Sequence, residues 1–168
     1  MQGLTSIILV THNQLEFTKL CVESMDRHTA EPYELIVVDN GSTDGTAEYL
    51  KSVGSRQWAV GERNRPVRMT VIANAENRGF PAAANQGIRA ATGQQILLLN
   101  NDTLVTAGWL GRMLKGLESD PTLGMVGPVS NFVSGPQNVP VPYEAVERGA
   151  LSVESQHKGP EKGSGVFL

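Results

Sequence analysis

Apolar residues along this chain come in short runs, and between the runs they recur at helical spacing. SIILVT (6–11), YELIVVDN (33–40), VRMTVIAN (67–74) and QQILLLNN (94–101) have strand length and the composition of strands covered on both faces. After the first run, Phe17, Leu20, Cys21, Ser24, Met25 and His28 fall on one helical face. Ala47, Leu50 and Val53 form a shorter stripe after the second. Pro81 suits the first turn of a helix that turns Ala84, Ile88 and Ala91 inward. After the fourth run, Thr106 is placed to cap a helix with Leu110, Met113, Leu114 and Leu117 on its apolar side. GMVGPVSN (124–131) reads as a fifth strand, and GSGVFL (163–168) as the start of another. GSRQWAVGERNRP (54–66) reads as a surface excursion, and 132–162 as a long irregular loop rich in Pro, Gly and polar residues.

Strand alternating with helix predicts an α/β fold: a mostly parallel sheet with helices on both faces, in one domain over 1–168. In such sheets ligands bind beyond the carboxyl ends of the strands. Those ends are polar here. They carry Thr11-His12-Asn13, Asp39-Asn40-Gly41-Ser42, Asn77-Arg78-Gly79 just after the third strand, and Asn100-Asn101-Asp102. Each exit alone is ordinary turn chemistry. Four exits on one rim make a ligand-facing ledge, with the leucines of ILLL as core and the following amides and carboxylate as its tip.

Composition narrows the partners. A formal net charge of −3 and the lack of any basic run give no reason to expect nucleic acid. The lone Cys21 favours a reducing compartment and reads as a buried small side chain. No apolar run approaches the roughly 20 residues of a transmembrane helix, and no signal peptide precedes the first strand. The expectation is a cytoplasmic chain, including the inner face of a membrane.

SIILVTHNQ, ELIVVDNGSTDGT, NAENRGFPAAANQGI and QQILLLNNDTLVTAGWL together resemble the family-two glycosyltransferases, nucleotide-sugar-dependent enzymes of A-type fold, from residue 5 to about 130. The resemblance implies a nucleotide-sugar site. Thr11 and His12 would line the base pocket, with Asn13 and Ser42 at the same exits. Asp39 would accept a hydrogen bond from a uracil or thymine N–H, which suits an acceptor-only group. Asn77, Arg78 and Gly79 would meet the nucleotide and diphosphate, and Asn101 the donor. Asp102 matches the metal-binding carboxylate of the family's Asp-x-Asp region and implies Mg²⁺ or Mn²⁺. Asn100 replaces the first Asp of that pattern, which predicts that metal binds only with nucleotide present.

What the resemblance implies is a metal-dependent, inverting transfer from a UDP- or dTDP-sugar to a glycan or glycolipid hydroxyl in polysaccharide, cell-wall or glycoconjugate synthesis. The family's general base lies on a later segment, so it is expected beyond Leu168. Glu144, Glu147, Glu154 and Glu161 read as solvated charges. The alternative is a nucleotide-sugar-binding module without turnover. An exposed sheet edge open to self-association is also expected. A nucleotidyltransferase or a dinucleotide-dependent oxidoreductase is disfavoured, because THNQLEFTK is neither a Gly-rich basic phosphate loop nor G-x-G-x-x-G.

Overall fold

The structure is a computed structural model describing residues 3–54, 58–60 and 65–128. The chain divides into two compact units, residues 1–109 and 110–168. In the first unit the order is β1 (Thr5–Thr11), α1 (Leu15–His28), β2 (Tyr33–Asn40), α2 (Thr46–Gly54), β3 (Trp58–Val60), β4 (Arg65–Val67), β5 (Met69–Asn74), α3 (Phe80–Ala90) and β6 (Gln95–Asn100). The last helix, α4 (Trp109–Glu118), buries Leu110, Leu114 and Gly116.

The main sheet runs β5-β2-β1-β6 with every neighbouring pair parallel. From β1 the chain builds outward through β2 to β5, then returns to the other side of β1 for β6. The direction therefore reverses between β1 and β6. Ile7, Ile8, Leu9, Ile36, Val37 and Val38 form the centre of the core and are essentially inaccessible. Strand alternation sends them to both faces. On one, Thr18 of α1 reaches Thr11 and a methyl on Gly54 of α2 would touch Val71. On the other, a methyl on Gly87 of α3 would run into Ile8.

At the amino-terminal end of the sheet, Glu34 is 3% exposed. It accepts from Ser6 Oγ (2.6 Å), Thr92 N (2.7 Å) and Thr92 Oγ1 (2.9 Å), and Ser6 Oγ accepts from Gly93 N (2.8 Å). Burial alone would raise this acid. The hydrogen bonds from Ser6 and Thr92, with the charge of Arg68, outweigh it and hold Glu34 below the usual glutamate value.

The alternation of elements is as expected, and four details differ. The α1 face is rotated: Thr18, Cys21, Val22 and Met25 are buried, while Phe17 and Leu20 stand about half exposed. Thr18 goes inside because Thr11 and Asn101 satisfy its hydroxyl. In α3 the inward residues are Ala83, Ala84 and Gly87, and Ile88 is exposed, because the close approach over Ile8 admits only small residues. The expected third strand, 67–74, is interrupted at Arg68: Val67 belongs to β4, which pairs antiparallel with β3 in a ribbon that otherwise lies in the expected surface excursion, 54–66. Residues 124–128 of the expected fifth strand have no regular structure, and 129–131, the loop 132–162 and 163–168 lie outside the described residues.

β6 is an edge strand among the described residues. Its Ile96 and Leu98 are 48% and 50% exposed on the α3 side of the sheet.

Candidate functional site

The exits of β1, β2, β5 and β6 meet at the carboxyl end of the parallel sheet. Val10 and His12 from the β1 exit and Asn100 and Asn101 from the β6 exit form two walls of an open cleft. Asn40, Asn77 and Phe80, with Gln14, complete it. The cleft thus lies at the switch point of the sheet, where the crossovers diverge and leave a crevice.

Strand alternation divides the expected site residues between the two sides of the rim. Val10 and Asn100 are register partners, and Asn40 is two residues from Val38, which pairs with Val10. All three line or border the cleft on the α3 side. Thr11 and Asp39 are also register partners, and both are turned to the other side and buried. The Thr11 hydroxyl is engaged with Thr18 Oγ1 (2.9 Å), Asn13 O (3.2 Å) and Asn101 Nδ2 (3.3 Å). Asp39 Oδ1 accepts from the Ser42 N–H at 3.0 Å. Among the expected residues, His12, Asn77 and Asn101 line the cleft, whereas Thr11, Asn13, Asp39, Ser42, Arg78, Gly79 and Asp102 do not.

The β1 and β2 exits are laced together. Asn13 and Gln14 both adopt left-handed backbone (φ 60° and 61°), which costs an ordinary side chain about 1–2 kcal/mol per residue. Asn13 N donates to Ser42 Oγ (2.8 Å), and Asn13 Oδ1 accepts from Thr43 N (2.8 Å). The Asp44 carboxylate caps two helices at once, accepting from Leu15 N at the start of α1 and from Thr46 N and Oγ1 at the start of α2. Its hydrogen bonds, that of the Thr46 hydroxyl foremost, hold Asp44 below the usual aspartate value.

The third wall is the start of α3. Gly79 is its N-cap, with φ 78°, and Pro81 occupies the first turn. Arg78, Gly79 and Phe80 are exposed there. A helix N-terminus beside a free guanidinium favours an anion; among the described residues no hydrogen bond or ion pair engages the Arg78 guanidinium.

Asp102 is exposed in the turn after β6, close enough to Cys21 for its charge to help raise the thiol. Burial is the main cause, and together they push Cys21 to about 11, which makes it an inert core thiol. Among the described residues no three His, Cys, Asp or Glu side chains gather as a metal cage. One exposed carboxylate beside amide oxygens fits a hard cation only if phosphate oxygens supply further ligands.

Sequence reasoning placed Asn40 on the polar rim without giving it a role, and left Asn74, Gln86 and Asp44 out of the site. Period-two alternation does carry a signal for Asn40, since it must face the side opposite Asp39. Nothing local marks Asn74 or Gln86.

A parallel α/β sheet with its polar crevice at the switch point is the architecture of the A-type glycosyltransferases. The profile described as Glycosyl transferase family 2 matches residues 6–160, and the chain belongs to that family. It is 30% identical over 114 residues to the "Uncharacterized glycosyltransferase YwdF" of Bacillus subtilis (strain 168), covering 68% of this chain and 38% of the relative. It is 29% identical over 126 residues to the poly-beta-1,6-N-acetyl-D-glucosamine synthase of Staphylococcus aureus (strain COL), covering 75% and 28%. The mannosyltransferase PcManGT of Pyrobaculum calidifontis, solved in complex with GDP-Man and Mn²⁺, superposes with a TM-score of 0.65 at 27% identity, over 77% of this chain and 36% of that one. TarS of S. aureus in complex with UDP-GlcNAc shares the fold, with a TM-score of 0.56 at 19% identity over 68% and 31%. The chain thus spans between 28% and 38% of the length of these proteins. No helix among the described residues is long and apolar enough to cross a membrane.

Proposed function

We propose that residues 1–168 are the donor-binding portion of a metal-dependent glycosyltransferase. It takes a UDP- or dTDP-sugar and passes the sugar, with inversion, to a glycan or glycolipid hydroxyl in polysaccharide or glycoconjugate synthesis, on the cytoplasmic side including the inner membrane face. The observation that carries this reading is the meeting of four strand exits at the switch point, beside the N-terminus of α3.

Each role follows from the group present. Asp39 already accepts from Ser42 N through one oxygen and has acceptor capacity left for the N–H of a pyrimidine ring. His12, Asn13 and Ser42 shape the floor around it, and Thr11 holds that floor through Thr18 and Asn101. Arg78 and the first turn of α3 face the diphosphate, where guanidinium and helix N–H groups both favour phosphate oxygens. Asp102, with donor phosphate oxygens, would hold Mg²⁺ or Mn²⁺, which offsets the charge that the leaving diphosphate gains. We assign no described residue as the general base.

The short span relative to the family favours a second reading: a nucleotide-sugar-binding module that does not turn over alone. The two separate cleanly. A thermal-shift panel of UDP, dTDP, GDP and CDP with and without Mn²⁺ reports binding, and release of free sugar or transfer reports turnover. GDP belongs in the panel because PcManGT was solved with GDP-Man. Asp39→Ala should abolish the pyrimidine nucleotide's stabilisation, and Asp102→Ala the further increment from Mn²⁺. Mn²⁺ without nucleotide should give no increment. If both variants respond like the parent, the site is elsewhere.

A further inference from the structure

Along one side of the cleft, an amide network joins loops that the donor reading treats as separate. Its centre is Asn40, the last residue of β2, which is 2% exposed. Its Oδ1 accepts from the backbone N–H of Arg78 (3.0 Å) and from Asn74 Nδ2 (3.0 Å). Its Nδ2 donates to Asn77 Oδ1 (2.8 Å), and that oxygen also accepts from Gly79 N (2.9 Å). Asn74 in turn forms a reciprocal pair with Gln86 of α3, at 2.8 and 2.9 Å. On the other side, His12 Nδ1 meets the backbone carbonyl of Asn40 at 3.0 Å.

The direction of every amide follows from the backbone groups. A backbone N–H can only donate, so Arg78 and Gly79 settle which end of Asn40 and of Asn77 is oxygen. The Asn74–Gln86 pair is then oriented in sequence. A carbonyl can only accept, so neutral His12 carries its proton on Nδ1 and offers Nε2. Gly41 makes the approach feasible: with φ 81° and no side chain, it lets the chain at Glu76 pass where a Cβ would lie 2.7 Å from the carbonyl carbon.

We propose that Asn40 is the positioning residue of the donor site, a buried side-chain amide that holds the Arg78 loop in place before the nucleotide arrives, while the His12 ring is held by the backbone carbonyl of the same residue. This rests on the reading that Arg78 faces the diphosphate. Among the described residues nothing grips the guanidinium itself, so its placement is set through its backbone, and that backbone is tied to Asn40. A loop ordered in advance spares the conformational entropy that binding would otherwise cost. The amide is chemically specific. Aspartate keeps the acceptor for Arg78 N–H but turns an oxygen toward Asn77 Oδ1, and alanine removes both links.

The test is calorimetric titration of UMP and of UDP, without added metal, into the parent chain, Arg78→Ala, Asn40→Ala, Asn40→Asp and the Asn40→Ala/Arg78→Ala double variant. The ratio of UDP to UMP affinity isolates the contact with the second phosphate. Asn40→Ala should lower that ratio by about five- to tenfold, the size of one ordinary hydrogen bond, and change UMP affinity by less than about twofold. Asn40→Asp should retain the larger part of the ratio. In the Arg78→Ala background, Asn40→Ala should lower it no further. Should Asn40→Ala not fold, Asn40→Asp carries the test alone through a partial fall in the ratio. Equal losses for UMP and UDP would mark Asn40 as merely structural and overturn the proposal, as would an unchanged ratio or an equal fall in the Arg78→Ala background. A parent chain with no preference for UDP, or an Arg78→Ala variant that keeps it, overturns the diphosphate assignment and this proposal with it.

Discussion

The two ends of the central sheet use the same kinds of polar group to opposite effect. At the amino-terminal end, Glu34, Ser6, Thr92 and Gly93 satisfy one another: the buried carboxylate takes three hydrogen bonds, and the hydroxyl that feeds it accepts from the next turn. At the carboxyl end, an amide network centred on buried Asn40 is equally well paired along one side of the cleft. Beside it, no hydrogen bond among the described residues engages the side chains of Arg78 and Asp102, and the first turn of α3 is exposed at Phe80 and Pro81. A closed cluster stabilises the fold, and an open one is available to a ligand. The contrast arises because the four strands of the main sheet are parallel, so one end gathers every loop that enters one of them and the other every loop that leaves.

Breaking the closed end should cost the most stability. Glu34→Ala leaves Thr92 N–H and two hydroxyls without their acceptor in a buried site, which should cost about 2–3 kcal/mol. Urea denaturation would show it, and nucleotide affinity of the folded fraction should not change. A fall in affinity without loss of stability would mean that the two ends are not independent.

The same carboxylate gives a pH signature. Its folded value lies below the unfolded 4.5, so its stabilising contribution is fully present above 4.5 and is lost as pH falls through the lower folded value. The advantage of the parent over Glu34→Gln should be constant from neutral pH down to about 5 and then shrink in acid. An advantage that grows in acid would contradict the sign.

Asp44→Ala should have a smaller effect, a modest fall in the thermal midpoint, as α1 and α2 lose one shared cap. Because that cap also laces the β1 and β2 exits, this variant tests where the two ends meet: nucleotide affinity should fall along with stability.

The mildest change concerns the β6 edge. Leu98→Lys should leave stability nearly unaltered, since the side chain is half exposed, and should reduce any concentration-dependent self-association seen by size-exclusion chromatography. Association that persists in the variant would place the contact elsewhere.

The amino-acid sequence by itself determined the alternation of strand and helix, the parallel sheet and the identity of the polar exits. These depend on periods and turn residues that act over a few positions. It did not determine which helix residues go inside. Phe17 and Leu20 have the apolarity of core residues, yet Thr18 takes the interior because Thr11, seven residues away, and Asn101, eighty-three away, complete its hydrogen bonds. Nor did it reveal that Asn40 anchors the Arg78 loop, since partners thirty-four to thirty-eight residues distant give no local pattern. Periodicity is a property of one segment, whereas a buried polar group is satisfied only when tertiary structure brings a second segment to it.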